Sequence, residues 1–170
     1  MKAFSCWYER VYCVTRDVPS SSHPCLASSA DFMIQCGCPH SRDPASALAG
    51  TGGPAPDSTY RNLLTGESIT RSASGCIQDE FTCELSNLPG TLSVANTGLS
   101  HSGGSQFFLN VHDNSFLDWF DRSTPSKHPV FGKAADTASY DVMLAISKVH
   151  AVADKPVVPV TIKSIAIMGT

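Results

Sequence analysis

No stretch of this 170-residue sequence approaches the ~18 consecutive apolar residues that would cross a bilayer, so no membrane-spanning helix is expected. Charge is also scarce. Asp, Glu, Lys and Arg make up 16% of the chain against 42% hydrophobic residues, which excludes the polar, highly charged composition of a disordered protein. A basic surplus is missing too: the net charge is -3 and the pI is about 6.0, so nucleic acid is set aside as a partner. No internal repeat is visible. The opening Met1-Lys-Ala-Phe-Ser-Cys-Trp-Tyr-Glu-Arg10 is broken by charge before a signal-peptide core can form, and this makes a cytoplasmic location the default expectation. The seven cysteines, Cys6, Cys13, Cys25, Cys36, Cys38, Cys76 and Cys83, lack the density and spacing of a disulfide scaffold. They are expected to be reduced thiols.

Two kinds of site lack part of what they need. Cys36-x-Cys38-x-His40 carries metal-ligand types, but a structural zinc site takes four ligands and no second pair stands at a suitable spacing, so no metal or other cofactor is expected. Serine, histidine and aspartate are all present, yet no Gly-x-Ser-x-Gly elbow sits between a strand and a helix. A hydrolase is therefore not expected.

The length suits one domain of roughly 100–200 residues with a sizeable core. Apolar and β-branched density predicts strands over residues 7–14, 32–35, 91–95, 105–111 and 130–133. Residues 139–148 predict a helix, with Val142, Ile146 and Val149 on one stripe and Thr137 or Ser139 as N-cap. Alternation over residues 157–168 predicts a strand with a bulge at Lys163-Ser164. Residues 40–75, rich in Ser, Ala, Gly, Pro and Thr, offer few large apolar side chains and are expected to be largely disordered. Strands outnumber helices.

The most informative stretch is Gly90-Thr-Leu-Ser-Val-Ala-Asn-Thr-Gly98 followed by Gly104-Ser-Gln-Phe-Phe108, which sets amides beside aromatic rings at a strand edge. Upstream lie Asp31-Phe-Met-Ile-Gln-Cys-Gly37, Thr51-Gly-Gly-Pro54 and Asp79-Glu-Phe81. Downstream lie Phe116-Leu-Asp118, Lys127-His-Pro-Val-Phe-Gly-Lys133 and Asp154-Lys-Pro156. Taken in this order, the blocks resemble the cyclophilins, the peptidyl-prolyl cis-trans isomerases, over residues 31–168.

That resemblance implies a mostly β fold, a cyclophilin-like antiparallel β-barrel with few helices. Residues 1–30 would form a divergent N-terminal segment, and residues 31–170 the domain, with insertions at about 41–49 and 57–74. It implies a rotamase that aids protein folding in the manner of a chaperone. Its alternative is a catalytically inactive module of the same fold that binds proline peptides. The expected partners are proline-containing peptides and proteins, with at most weak binding of cyclosporin-type ligands and a monomeric chain.

By the same resemblance, Phe32, Met33, Phe108, Leu117 and His128 form an apolar slot for the proline ring. Gln35, Ala95, Asn96 and Gln106 clamp the flanking backbone, and Phe116 stands where many members carry a tryptophan whose N–H reaches the macrocycle. The family's arginine lies five residues before the Phe of Phe-Met-Ile-Gln, which here is Ala27. Tyr8-Glu-Arg-Val-Tyr12 has the character of the missing strand and nominates Arg10 as the catalytic cation, provided residues 8–12 pair beside residues 32–35.

Overall fold

The structure, a computed structural model, describes residues 9–10, 23–25, 27–29, 31–43, 45–62 and 65–162. Among these residues, twelve short strands and one helix run in the order β1 (Glu9–Arg10), β2 (His23–Pro24), β3 (Ala27–Ser28), β4 (Met33–Cys36), β5 (Thr59–Arg61), β6 (Ser68–Thr70), β7 (Thr91–Val94), β8 (Phe107–Asn110), β9 (Val130–Lys133), α1 (Thr137–Ser147), β10 (Ala151–Val152), β11 (Lys155–Pro156) and β12 (Thr161–Ile162). Single 3₁₀ turns cover Pro39–Arg42 and Ser115–Leu117.

One six-stranded sheet, ordered β1-β9-β7-β8-β4-β3, carries the fold. Its central pairs are antiparallel, and only β1 joins β9 in parallel. The expected mostly β architecture is present, with a β-bulge between Leu92 and Ser93 against β9. Among the described residues the sheet does not close into a barrel; β1 and β3 stand at its two edges.

Alternation divides the sheet into two chemically different faces. Ile34 lies opposite Leu109, Cys36 opposite Phe107, and Leu92 opposite Leu109, which puts apolar residues together on one face. There Cys25, Ile34, Cys36, Val111 and Met143 form the core, with Tyr140, Leu144 and Ile146 packed against it from α1. A cavity of about 300 Å³ remains between α1 and this face. The other face carries Met33 opposite Asn110, and Gln35 and Ser93 opposite Phe108. The amides and rings read as site residues therefore emerge together on the face turned away from the core.

Four expectations change. The helix is capped by Asp136, whose side chain accepts from Ser139 N at 2.8 Å, rather than by Thr137 or Ser139. Its buried positions are Met143 and Ser147, while Val142 is 44% exposed, because unbranched Met143 reaches the Cys25–Ile34 cluster.

Within residues 40–75 the described stretches 40–43, 45–62 and 65–75 carry regular hydrogen-bonded structure. An antiparallel β5–β6 hairpin is closed by Asn62 N–H to Glu67 O at 2.8 Å and braced by Arg71 stacked 4.5 Å over Tyr60. Backbone and serine hydrogen bonds supply the order here, which an apolar count overlooks.

Reduced thiols do not describe all the cysteines. Cys25 and Cys36 form a disulfide across the core face, and Cys83 is disulfide-bonded as well. Cys38 and Cys76 are free.

Val157 and Val158 are 55% and 75% exposed in a bend after the β10–β11 hairpin, so the alternating strand is described only as Thr161–Ile162. The remainder of that stretch, with its bulge at Lys163-Ser164, lies outside the described residues.

Candidate functional site

The polar wall of the site starts at the end of β8. The main chain of Gln106 accepts Ala95 N–H at 3.1 Å, which closes the β7–β8 ladder and sets the Gln106 side chain beside residues 50–52. Its Nε2 donates to Gly50 O at 2.9 Å and Gly52 O at 2.8 Å. Both N–H groups are thereby used, so Oε1 faces the other way and accepts Gln35 Nε2 at 2.7 Å. Gln35 keeps its own oxygen and one N–H for another partner. These residues, with Ala95, Asn96 and the 50–54 loop, line a cavity of about 450 Å³.

The end of β4 and the start of β8 approach closely because glycine stands where their backbones crowd. Gly37 has φ of +91°, and a Cβ there would collide with Ser105 O. Ser105 Oγ donates to Gly37 O at 2.7 Å, which ties the start of β8 to the end of β4. Asn96 is used internally: Nδ2 donates to Lys127 O at 2.7 Å, and Oδ1 accepts Gly98 N at 2.9 Å. The Asn96 side chain thus joins the 96–98 loop to the segment leading into His128.

The apolar part lies beside it. Phe108 is 2% exposed, and its ring meets the edge of His128 at 5.4 Å between centroids. His128 N–H donates to Leu117 O at 3.1 Å, bringing the buried Leu117 alongside. Phe32 and Phe116 stack at 6.1 Å, with Phe116 half exposed. Met33 sits on the same face, opposite Asn110.

His128 Nδ1–H donates to Val94 O at 3.0 Å, which fixes the tautomer and leaves Nε2 as an acceptor. Burial lowers its pKa, and the Val94 carbonyl opposes that shift. The imidazole is neutral at pH 7. The slot thus has an uncharged aromatic wall.

Beneath both parts runs a buried polar cluster that pattern reading missed. Asp118, 4% exposed, accepts Ser86 Oγ at 2.6 Å and, through Oδ1, both Asn87 N and Asn87 Nδ2 at 2.8 Å. Asn87 Oδ1 accepts Ser93 Oγ at 2.6 Å, and Asn87 Nδ2 reaches His128 O at 3.1 Å. Asn110 Oδ1 accepts Asn114 Nδ2 at 2.8 Å, which also donates to Phe32 O at 2.9 Å. The available signal was Asn110, a polar residue ending the Phe-Phe-Leu run of β8.

Arg10 is not brought to this group. The catalytic assignment needed residues 8–12 beside residues 32–35, but β1 pairs with β9, four strand positions from β4 in the sheet order. The edge of β4 is already filled by β3, where Ala27 pairs with Gln35 and Ser28 with Ile34. Arg16, the other upstream arginine, lies outside the described residues. The Cys36-x-Cys38-x-His40 pattern is not a ligand pair either, since Cys36 is in the disulfide and the Cys38 sulfur accepts two backbone amides.

The sequence and the fold have known counterparts. The family model for the cyclophilin type peptidyl-prolyl cis-trans isomerase/CLD matches residues 27–167. The chain belongs to this family. Peptidyl-prolyl cis-trans isomerase cyp18 of Streptomyces antibioticus is 36% identical over 113 residues, covering 62% of this chain and 66% of that protein. Just under two thirds of that relative is thus spanned. Peptidyl-prolyl cis-trans isomerase A of Mycobacterium tuberculosis is 38% identical over 91 residues, covering 52% of this chain and 46% of that one. The crystal structure of a Cryptosporidium parvum cyclophilin type isomerase, determined in the presence of the dipeptide Ala-Pro, superposes with a TM-score of 0.60 at 22% identity over 88% of this chain and 76% of that one. That likeness concerns the fold.

Proposed function

We propose that the chain binds X-Pro segments of peptides and proteins at the Phe108–His128 face and accelerates rotation about the prolyl bond. The observation that carries this reading is the convergence of Phe108, His128 and Leu117 beside the Gln35–Gln106 pair. Peptide-bond rotation faces a barrier of about 18–20 kcal/mol, because the nitrogen lone pair is conjugated with the carbonyl. Catalysis requires that the twisted state be held more tightly than either planar one. A proline ring seated against Phe108 and neutral His128 fixes one side of the bond. The free oxygen and N–H of Gln35 hold the flanking peptide, so rotation occurs about an anchored bond.

The localising lone pair also calls for a donor, and here the chain departs from its relatives' pattern. The resemblance places an arginine at the position that Ala27 occupies opposite Gln35. We infer that this chain turns over slowly for an isomerase and relies on slot and clamp. The same observation favours a second reading, a proline-peptide module without turnover. A protease-coupled assay with a short X-Pro peptide tests the proposal: saturable acceleration supports the isomerase, and calorimetric binding without acceleration supports the module.

As partners we propose proline-containing segments of folding proteins, taken up by a single copy of the chain. No helix among the described residues is long and apolar enough to cross a membrane. The Cys25–Cys36 disulfide weighs against the cytoplasmic default, since such bonds persist in oxidising compartments.

A further inference from the structure

Cys38 lies behind the polar wall with no exposed surface, and its thiol is free. Its sulfur accepts Gly50 N–H at 3.2 Å and Gly52 N–H at 3.4 Å. The carbonyls of the same two glycines take both N–H groups of Gln106, at 2.9 and 2.8 Å. Residues 50–52 are therefore held from two sides, by a sulfur on their amides and by a glutamine on their carbonyls.

The consequence is an orientation. With Nε2 committed to two fixed carbonyls, Gln106 can only turn Oε1 toward Gln35, which must then donate at 2.7 Å and keep its own oxygen and second N–H outward. If Gly50 and Gly52 shift, the amide of Gln106 loses the pair of acceptors that dictates this polarity. The loop has little slack elsewhere: a Cβ on Gly52 would stand 2.5 Å from His40 Cδ2, and Ser41 Oγ bonds Cys38 O at 2.6 Å. Sulfur suits the task because its size lets one acceptor reach two amides at 3.2–3.4 Å.

We propose that Cys38 is a positioning residue for peptide binding, acting through Gly50, Gly52 and Gln106 to set the donor and acceptor pattern that Gln35 presents. This rests on the X-Pro reading above. It predicts that the residue preceding the prolyl bond is recognised through a main-chain pattern held by a buried thiol.

The test compares Cys38→Ala with Cys38→Ser, measuring turnover of an X-Pro peptide, its calorimetric affinity, and hydrogen exchange at the Gly50 and Gly52 amides. Loss of the acceptor in Cys38→Ala should raise KM about three- to tenfold, as one net hydrogen bond would, while kcat stays within about twofold. The two glycine amides should exchange faster. Cys38→Ser, which keeps an acceptor, should lie closer to the parent in both readouts. A Cys38→Ala protein that melts earlier but keeps KM and both exchange rates overturns the proposal, as does a Cys38→Ser protein that behaves like alanine. If the parent neither turns over nor binds the peptide, the reading of the site fails. Glycine exchange and the Gln106 side-chain amide resonances then decide the role of Cys38 separately.

Discussion

The side-chain amide of Asn87 joins the carboxylate of Asp118, at 2.8 Å, to the carbonyl of His128, at 3.1 Å, so a single buried group ties together the two segments that supply Leu117 and His128 to the slot. Asn87 is 0% and Asp118 4% exposed, so water cannot replace these bonds if one partner is removed. Asn87→Ala is expected to cost about 2–5 kcal/mol, because a buried carboxylate oxygen and the Ser93 hydroxyl lose a partner together. Urea denaturation checks this. A loss below about 1 kcal/mol would mean that the cluster is hydrated.

The register at β3 makes a gain-of-function prediction. Ala27 stands opposite Gln35, where the resemblance expects the guanidinium, so Ala27→Arg should raise turnover while leaving peptide affinity nearly unchanged. One well-placed donor of this kind contributes about 10²–10³ in rate, and an incompletely seated one less. Arg10→Ala should leave turnover intact, since β1 lies on the far side of the sheet. Collapse of turnover in Arg10→Ala would show that Arg10 is the catalytic cation after all.

Phe116 stacks on Phe32 and offers no hydrogen-bond donor, and the nearby Trp119 is committed, its Nε1 donating to Cys83 O at 3.0 Å. Cyclosporin-type macrocycles should therefore bind weakly. Phe116→Trp should tighten binding by about 1–3 kcal/mol in calorimetry, the value of satisfying a ligand acceptor otherwise left buried. Unchanged affinity would place the macrocycle away from Phe116.

Burial pushes the His128 imidazole below its ordinary value of 6.5, with the Val94 carbonyl acting in the opposite sense. The folded protein then binds this proton more weakly than the unfolded chain does. The stability contributed by neutral His128 is complete above the unfolded value and is lost as pH falls below it. Urea midpoints should drop between about pH 7.5 and about pH 5.5, a window that brackets the unfolded histidine value. In His128→Gln the drop should be smaller. An equal drop in the two proteins would remove His128 as the cause.

The strands around the slot were legible because their signal is local. Thr-Leu-Ser-Val alternates, and the two-residue period of any strand sends Phe108 and Gln35 to one face and Phe107 and Ile34 to the other. What stayed hidden depends on pairing at a distance. The Cys25–Cys36 bond, the Cys38 contacts with Gly50 and Gly52, and the Asn87–Asp118 pair link residues 11 to 31 positions apart, and no spacing rule marks them. The β5–β6 hairpin escaped notice for another reason: its order comes from backbone bonds and the Arg71–Tyr60 stack rather than from apolar burial. Arg10 was nominated by the character of its neighbours, whereas the sheet chose its edge partners by hydrogen bonding.

Exchange NMR on a short X-Pro peptide tests the central claim most directly, because it reads cis-trans interconversion at equilibrium without a coupling protease. With catalytic amounts of the intact chain, exchange between the cis and trans proline resonances should accelerate in proportion to protein concentration. The acceleration should vanish in a Phe108→Ala, His128→Ala double variant that still shows the dispersed amide spectrum of a folded sheet. Resonances that shift on binding while the exchange rate stays at its uncatalysed value would contradict the account, leaving a proline-binding module in place of an isomerase.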